Sequence, residues 1–177
     1  MPAPDPDPAP STVDAFWEVA RVRARLNPTG FYAGERPLGI LPPPAWSFGA
    51  TPDQADRLLA LVLSGTKTAT ASALWDYEAE GEVLPAVGDL GIVTDGRGVP
   101  RALIATTRVE TVPFDDVDAE HAHLEGEGDR TLTSWREVHR RFFSEHAAHE
   151  RGFSPDMPVV LERFAVLYGA PADPVTG

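Results

Sequence analysis

The segment TPDQADRLLALVLSG, residues 51–65, carries both of its own boundary signals and so fixes one helix before anything else in the chain is read. Thr51 has the hydroxyl of an N-cap, Pro52 suits the first helical position, and Gln54 completes a capping box. Gly65 offers the left-handed exit. Between these signals Ala55, Leu58, Leu59, Val62 and Leu63 recur at helical spacing, so the helix has an apolar face that needs a partner surface. The stretch that leaves it, SGTKTATAS over residues 64–72, therefore starts from a defined point.

Lys67 in that stretch is the one lysine of the chain; all the other members of its 15 basic residues are arginine. Arginine stays charged, whereas lysine presents a compact ammonium and can lose its proton when desolvated. If the segment is extended, Thr68, Thr70 and Ser72 share one face and Lys67 takes the other; in a tight turn, Lys67 and Thr70 can meet. A hydroxyl beside an amine, with a carboxylate to orient the amine, is a nucleophile and base arrangement. The plainer reading is that these hydroxyls satisfy backbone groups past the helix end.

The rest of the chain frames that segment. Its 177 residues suit one domain. Residues 1–10 alternate proline with small or acidic residues and read as a disordered tail, residues 11–168 as a single domain with an N-terminal helical extension, and residues 169–177 as a flexible tail. Apolar residues at helical spacing predict a helix over Ser11–Leu26, and the Pro- and Gly-rich stretch Asn27–Gly49 predicts an irregular connection. DLGIVTDGRGVPRALIATTRVETVPF reads as a β-hairpin turning at Asp95–Gly98, a third helix is expected from Thr131 to about His149, and PVVLERFAVLY as a final strand. The pattern predicts an α+β fold whose mostly antiparallel sheet curls into a small barrel flanked by helices.

Composition removes several functions. With no cysteine there is no disulfide, thiolate metal site or Cys nucleophile. No apolar run approaches the roughly 20 residues of a membrane span, and MPAPDPDPAP lacks the basic and apolar regions of a signal peptide, so a soluble cytoplasmic protein without a membrane partner is expected. The net charge of −12 argues against a large sequence-blind nucleic-acid surface, though a local cleft remains open. The run FDDVDAEHAHLEGEGD concentrates acid, whereas Arg130 to Arg151 is richer in arginine.

Several separated blocks, AWSFGATPDQADRLLALVLSGTKTATASALW, LPAVGDLGIVTDG, TTRVETVPFDDV, EGEGDRTLTSWREVHRRFF and DMPVVLERFAVLY, together resemble the ASCH domain of the PUA-like superfamily over about residues 46–168. The resemblance implies a small β-barrel with a cleft whose floor carries the signature Gly65, Lys67 and Thr70. It also implies a link to RNA: some members cleave it, and a small bacterial branch hydrolyses N4-acetylcytidine with a Thr, Lys and Glu trio. Carried over by position, Lys67 and Thr70 match, and Glu110 on the hairpin's second strand is the candidate carboxylate. In that version Thr70 attacks the acyl carbon, Lys67 takes its proton and Glu110 orients Lys67. The chain departs from the pattern at Ala50, where close relatives have aspartate, and at Ser72, where some have arginine.

Around the signature, Gly65, Thr68 and Ser72 are candidate binding residues, and Trp46, Phe48 and Trp75 offer rings for a nucleobase, although core packing accounts for some of them. Arg163 is a further candidate for a phosphate; strand alternation allows only one of Glu162 and Arg163 to face the cleft. His121, His123, His139, His146 and His149 lack a tight ligand motif, so no metal or cofactor is expected. EGEGDR, residues 125–130, lacks the lysine of a phosphate loop and reads as a helix-entry turn near Asp129. Two readings follow: a metal-independent hydrolase acting on N4-acylated cytidine or RNA, or a non-catalytic module binding RNA, a nucleotide or a nucleoside. The family resemblance allows a homodimer.

Overall fold

A computed structural model describes residues 12–26 and 41–170. The tail expected at 1–10 and the part of the expected 169–177 tail beyond Ala170 lie outside the described residues, as do residues 27–40 of the expected irregular connection. In chain order the elements are α1 (Thr12–Arg23), β1 (Ala45–Trp46), α2 (Pro52–Leu63), β2 (Ala69–Ala73), α3 (Leu74–Glu80), β3 (Leu90–Thr94), β4 (Pro100–Pro113), a short 3-10 turn (Phe114–Asp116), α4 (Ala119–Glu125), α5 (Leu132–Glu145) and β5 (Pro158–Gly169).

The fold is α+β, built on a five-stranded sheet in the order β1-β3-β4-β5-β2. β1 runs parallel to β3, and every other neighbouring pair is antiparallel. The expected barrel is not formed: the sheet curls but stays open, with β1 and β2 as its unpaired edges. The long β4–β5 ribbon supplies curvature through irregularities at Leu103/Ile104 and Thr106/Arg108. Closure fails because β1 is two residues long and gives β2 almost nothing to pair with.

Strand alternation divides the core. Ile92 and Leu103 point to α1, where Trp17 and Ala20 cover them. Their neighbours Val93, Ala102 and Ile104 point the other way, beneath Leu59 and Val62 of α2 together with Phe48 and Phe164. A third cluster joins Val159 and Leu161 of β5 to Phe114, Ala122 of α4, and Trp135 and Phe143 of α5. Burying these faces is the main stabilisation of the fold.

The caps explain the helix limits. Thr51 Oγ1 accepts the Gln54 N–H at 3.3 Å, while the Gln54 side chain reaches Ala50 N–H at 2.8 Å, one residue before the cap. Gly65 takes φ +74°, the expected left-handed exit. Thr131, rather than Asp129, caps α5 and accepts from Ser134 N–H, while the Asp129 carboxylate holds Thr131 in turn. α5 ends at Glu145, so His146 is its C-terminal cap and His149 lies beyond it. β1, α3 and α4 were not expected from the sequence. Among the described residues, no helix is long and apolar enough to cross a membrane.

Gly126 ends α4 at φ +73°, and a Cβ there would stand 2.5 Å from the Thr66 carbonyl oxygen. The left-handed backbone alone costs a non-glycine residue about 1–2 kcal/mol. Gly126→Ala should therefore lower the thermal midpoint by at least about 2–4 °C. Unfolding followed by circular dichroism checks this, and an unchanged midpoint contradicts the packing described.

Candidate functional site

Lys67 is 1% exposed, yet its amine sits between two carboxylates. Its Nζ lies 3.3 Å from Oε2 of Glu125, the last residue of α4, 2.8 Å from Oε1 of Glu127 just beyond the helix, and 5.2 Å from the centre of the Phe48 ring. The main chain reinforces the junction, since Thr68 N–H donates to the Leu124 carbonyl at 2.8 Å.

Glu125, also 1% exposed, is the hub. Its Oε1 accepts from Trp135 Nε1 at 2.8 Å and meets His121 Nε2 at 3.1 Å. Its Oε2 faces Lys67 and His139 Nε2, the latter at 3.3 Å. Four donors thus surround one carboxylate, which matches its lone-pair capacity. The second nitrogen of His139 lies 3.0 Å from the Trp135 carbonyl, so both ring nitrogens face acceptors, an arrangement that favours the imidazolium.

Burial alone would lower the pKa of Lys67, but Glu125 and Glu127 outweigh it and raise the value above 10.5. Burial would raise that of Glu125, but His139 and Lys67 hold it well below 4.5. For His139, burial is again overcome, here by Glu125, and the pKa rises above 6.5. This setting favours the ammonium form of Lys67, which has no lone pair with which to accept a proton from Thr70.

Beside this network a cleft of about 440 Å³ opens between the two unpaired edges of the sheet. Trp46 of β1 and the following Ser47, Phe48 and Gly49 form one wall; Thr70 to Ala73 of β2, with Asp76, Tyr77 and Glu80 of α3, form another. Glu162, Phe142, Phe143 and Glu82 complete it. Phe48 meets the Trp46 ring edge-on at 4.6 Å and stacks on Phe164 at 5.9 Å, so the aromatic wall is anchored in the core. Glu162 stands opposite Thr70 across the β2–β5 ladder and accepts from Thr106 Oγ1 at 2.7 Å. Burial raises its pKa above 4.5, and burial likewise raises that of Tyr77 above 10.0, against a hydrogen bond with Ser72.

The ASCH domain family matches residues 44–168, spanning every strand described above. The chain belongs to the ASCH domain family. A crystal structure of an ASCH domain from Lactobacillus crispatus JV V101 is 38% identical, with a TM-score of 0.67, over 71% of this chain and 79% of that one. A protein from Enterococcus faecalis V583 is also 38% identical, with a TM-score of 0.74, over 88% of this chain and 87% of that one. No curated protein matches.

In this ASCH domain the signature residues divide between two places. Thr70, Ser72, Trp46 and Phe48 line the cleft, whereas Lys67 lies behind the wall that Phe48 forms. Gly65 and Thr68 act through the backbone, as helix exit and as the strut to Leu124 and Phe164. Glu110 is not brought to Lys67. It pairs with Arg108 at 2.9 Å, and its Cα lies opposite Leu161, which by strand alternation faces away from the Thr70–Glu162 side of the sheet. The carboxylate that Lys67 meets is Glu125. Arg163 faces away from Glu162 and pairs with Glu120 at 3.2 Å, and Trp75 packs against His149 and beneath Arg151. Among the described residues, no three His, Asp or Glu side chains are grouped as a metal site requires.

Glu125 had a signal in the sequence. His121, Ala122 and Glu125 are the buried stripe of α4, at helical spacing, with Glu120 before them and His123 among them exposed. The acidity of the surrounding run masked it.

Two tests follow. Removing one partner from a buried ion pair costs on the order of 3–5 kcal/mol, because the other charge is left unopposed. Lys67→Met and Glu125→Gln should each approach that loss in denaturant titrations, and the double variant should lose clearly less than their sum; additive losses would contradict the pairing. The raised pKa of His139 means its contribution is present below pH 6.5 and is lost as pH rises through the folded value. Stability should therefore decline on that alkaline side in the wild type and be flatter in His139→Gln, which equilibrium unfolding at several pH values measures.

Proposed function

We propose that the cleft receives the uncharged base of a nucleoside, free or at an unpaired position of RNA. The observation that carries this is the lining itself: the aromatic groups Trp46, Phe48, Tyr77 and Phe142 stand among the carboxylates Asp76, Glu80, Glu82 and Glu162, with no lysine or arginine among the lining residues. Rings of this kind stack a base, and a cleft of roughly 300–1,000 Å³ suits a small organic ligand. Carboxylates without a cation repel phosphate, so any backbone phosphates of an RNA stay outside. Ser72 stands where the resemblance places arginine in some relatives, which keeps the lining free of positive charge. RNA binding is proposed for the ASCH family, and entry of an unstacked base is compatible with it.

The test compares cytidine with cytidine 5′-monophosphate by calorimetry. The nucleoside should bind at least as tightly as the monophosphate, and Trp46→Ala should weaken both by roughly tenfold or more, the scale of one lost base stack. A monophosphate bound far more tightly, with steep salt dependence, would replace this reading by a phosphate-led one.

The Thr70–Glu162 pairing favours a hydrolytic second reading. Thr70 Oγ1 attacks the acyl carbon of an N4-acylated cytidine, Glu162 accepts the hydroxyl proton and delivers it to the departing amine, and water then cleaves the acyl-threonine. Lys67 is a fixed charge behind the wall in this scheme. RNA cleavage is the poorer fit, because it brings a phosphodiester among the carboxylates. Chromatography of N4-acetylcytidine after incubation with wild type and Thr70→Val decides it: release of cytidine by wild type alone supports hydrolysis, and binding without release leaves the module.

A further inference from the structure

Resting on the reading of the cleft as a base site, the geometry points to Glu162 as the specificity residue, selecting a base that carries an exocyclic amino group over one that presents a keto oxygen. Glu162 sits mid-strand on β5, opposite Thr70 on one side and Val109 on the other, so its backbone is held by both neighbours. Thr106, 6% exposed, donates to Oε1 at 2.7 Å. That bond fixes the carboxylate and commits one oxygen. Among the described residues no donor is assigned to the other oxygen, and Glu162 lines the cleft.

A ligand that displaces solvent from that oxygen must bring a donor in its place, because leaving the carboxylate without one is costly. A ligand's N–H supplies the bond. A keto oxygen in the same place sets two acceptors against each other. The nearby hydroxyls do not change this balance: Tyr77 and Ser72 are engaged with one another, and those of Thr70 and Ser47 can turn to donate or accept and so serve either base. Asp76, Glu80 and Glu82 add further acceptors to the lining. Stacking on the aromatic wall is indifferent to the exocyclic group, so discrimination falls to Glu162.

The experiment measures dissociation constants of cytidine, uridine and N4,N4-dimethylcytidine for wild type, Glu162→Gln and Thr106→Val. Wild type should prefer cytidine over uridine by roughly tenfold to a hundredfold, the span covered by one hydrogen bond to a charged group. The dimethylated nucleoside, whose amino hydrogens are gone, should bind as poorly as uridine. A glutamine amide can turn to donate or accept, so Glu162→Gln should bring the cytidine-to-uridine ratio towards one while both still bind. Thr106→Val, which frees the carboxylate to rotate, should reduce the ratio by a smaller factor. Equal binding of the three nucleosides to wild type, or an unchanged ratio in Glu162→Gln, would overturn the inference and leave the base site standing. Failure of every nucleoside to bind wild type would overturn the base site as well. The wild-type comparison needs no variant, so a variant that fails to fold does not weaken the test.

Discussion

The ammonium of Lys67 and the carboxylate of Glu125 meet where neither touches water, and the same ammonium lies against Phe48 of the cleft's aromatic wall. Moving two such charges inside costs several kcal/mol each, so the site holds only because every bonding position of the carboxylate is filled and Glu127 adds a second counter-charge. The bond spans 58 residues of chain, joining the exit of α2 to the end of α4. Phe48 lies against the same ammonium and carries Trp46, so a network sealed in the core sets the position of rings that face the cleft.

The open edge of the sheet is the second constraint. A closed barrel would have joined β1 to β2 and filled the space between them with hydrogen bonds. Because β1 is too short to do so, the gap remains, and side chains from both edges line it. The curvature that brings the edges near each other comes from the irregular β4–β5 ribbon. A cleft made in this way has an aromatic side anchored in the core through Phe48 and a polar side fixed by the β2–β5 register. Thr70 and Glu162 thus line the cleft, while the charges of Lys67 and Glu125 are buried outside its lining.

Much of this was legible in the sequence where local signals agree. α2 was readable because a cap, a proline and a terminal glycine bracket an apolar stripe, and the β3–β4 hairpin because β-branched runs flank a turn. Lys67 stood out as the one lysine, and Thr70, Trp46 and Phe48 were found beside it. The partner was misplaced. Glu110 looked suitable from its position on a strand, but a carboxylate's face depends on register, and register depends on where the ribbon bulges. Glu125 was hidden because an acidic run reads as solvated surface, and only the fold shows that one member turns inward. The barrel was overestimated because strand number and curvature are visible in sequence, whereas the failure of a two-residue strand to close the ring is not.

Because the chain has a single lysine, one label isolates it. With lysine carrying carbon-13 at Cε, the chain gives one resonance whose shift reports the protonation of Lys67 directly. This resonance should stay at the ammonium position up to and beyond pH 10.5, since Glu125 and Glu127 hold the proton. A resonance that titrates near neutrality would contradict it, and would return Lys67 to the role of proton acceptor.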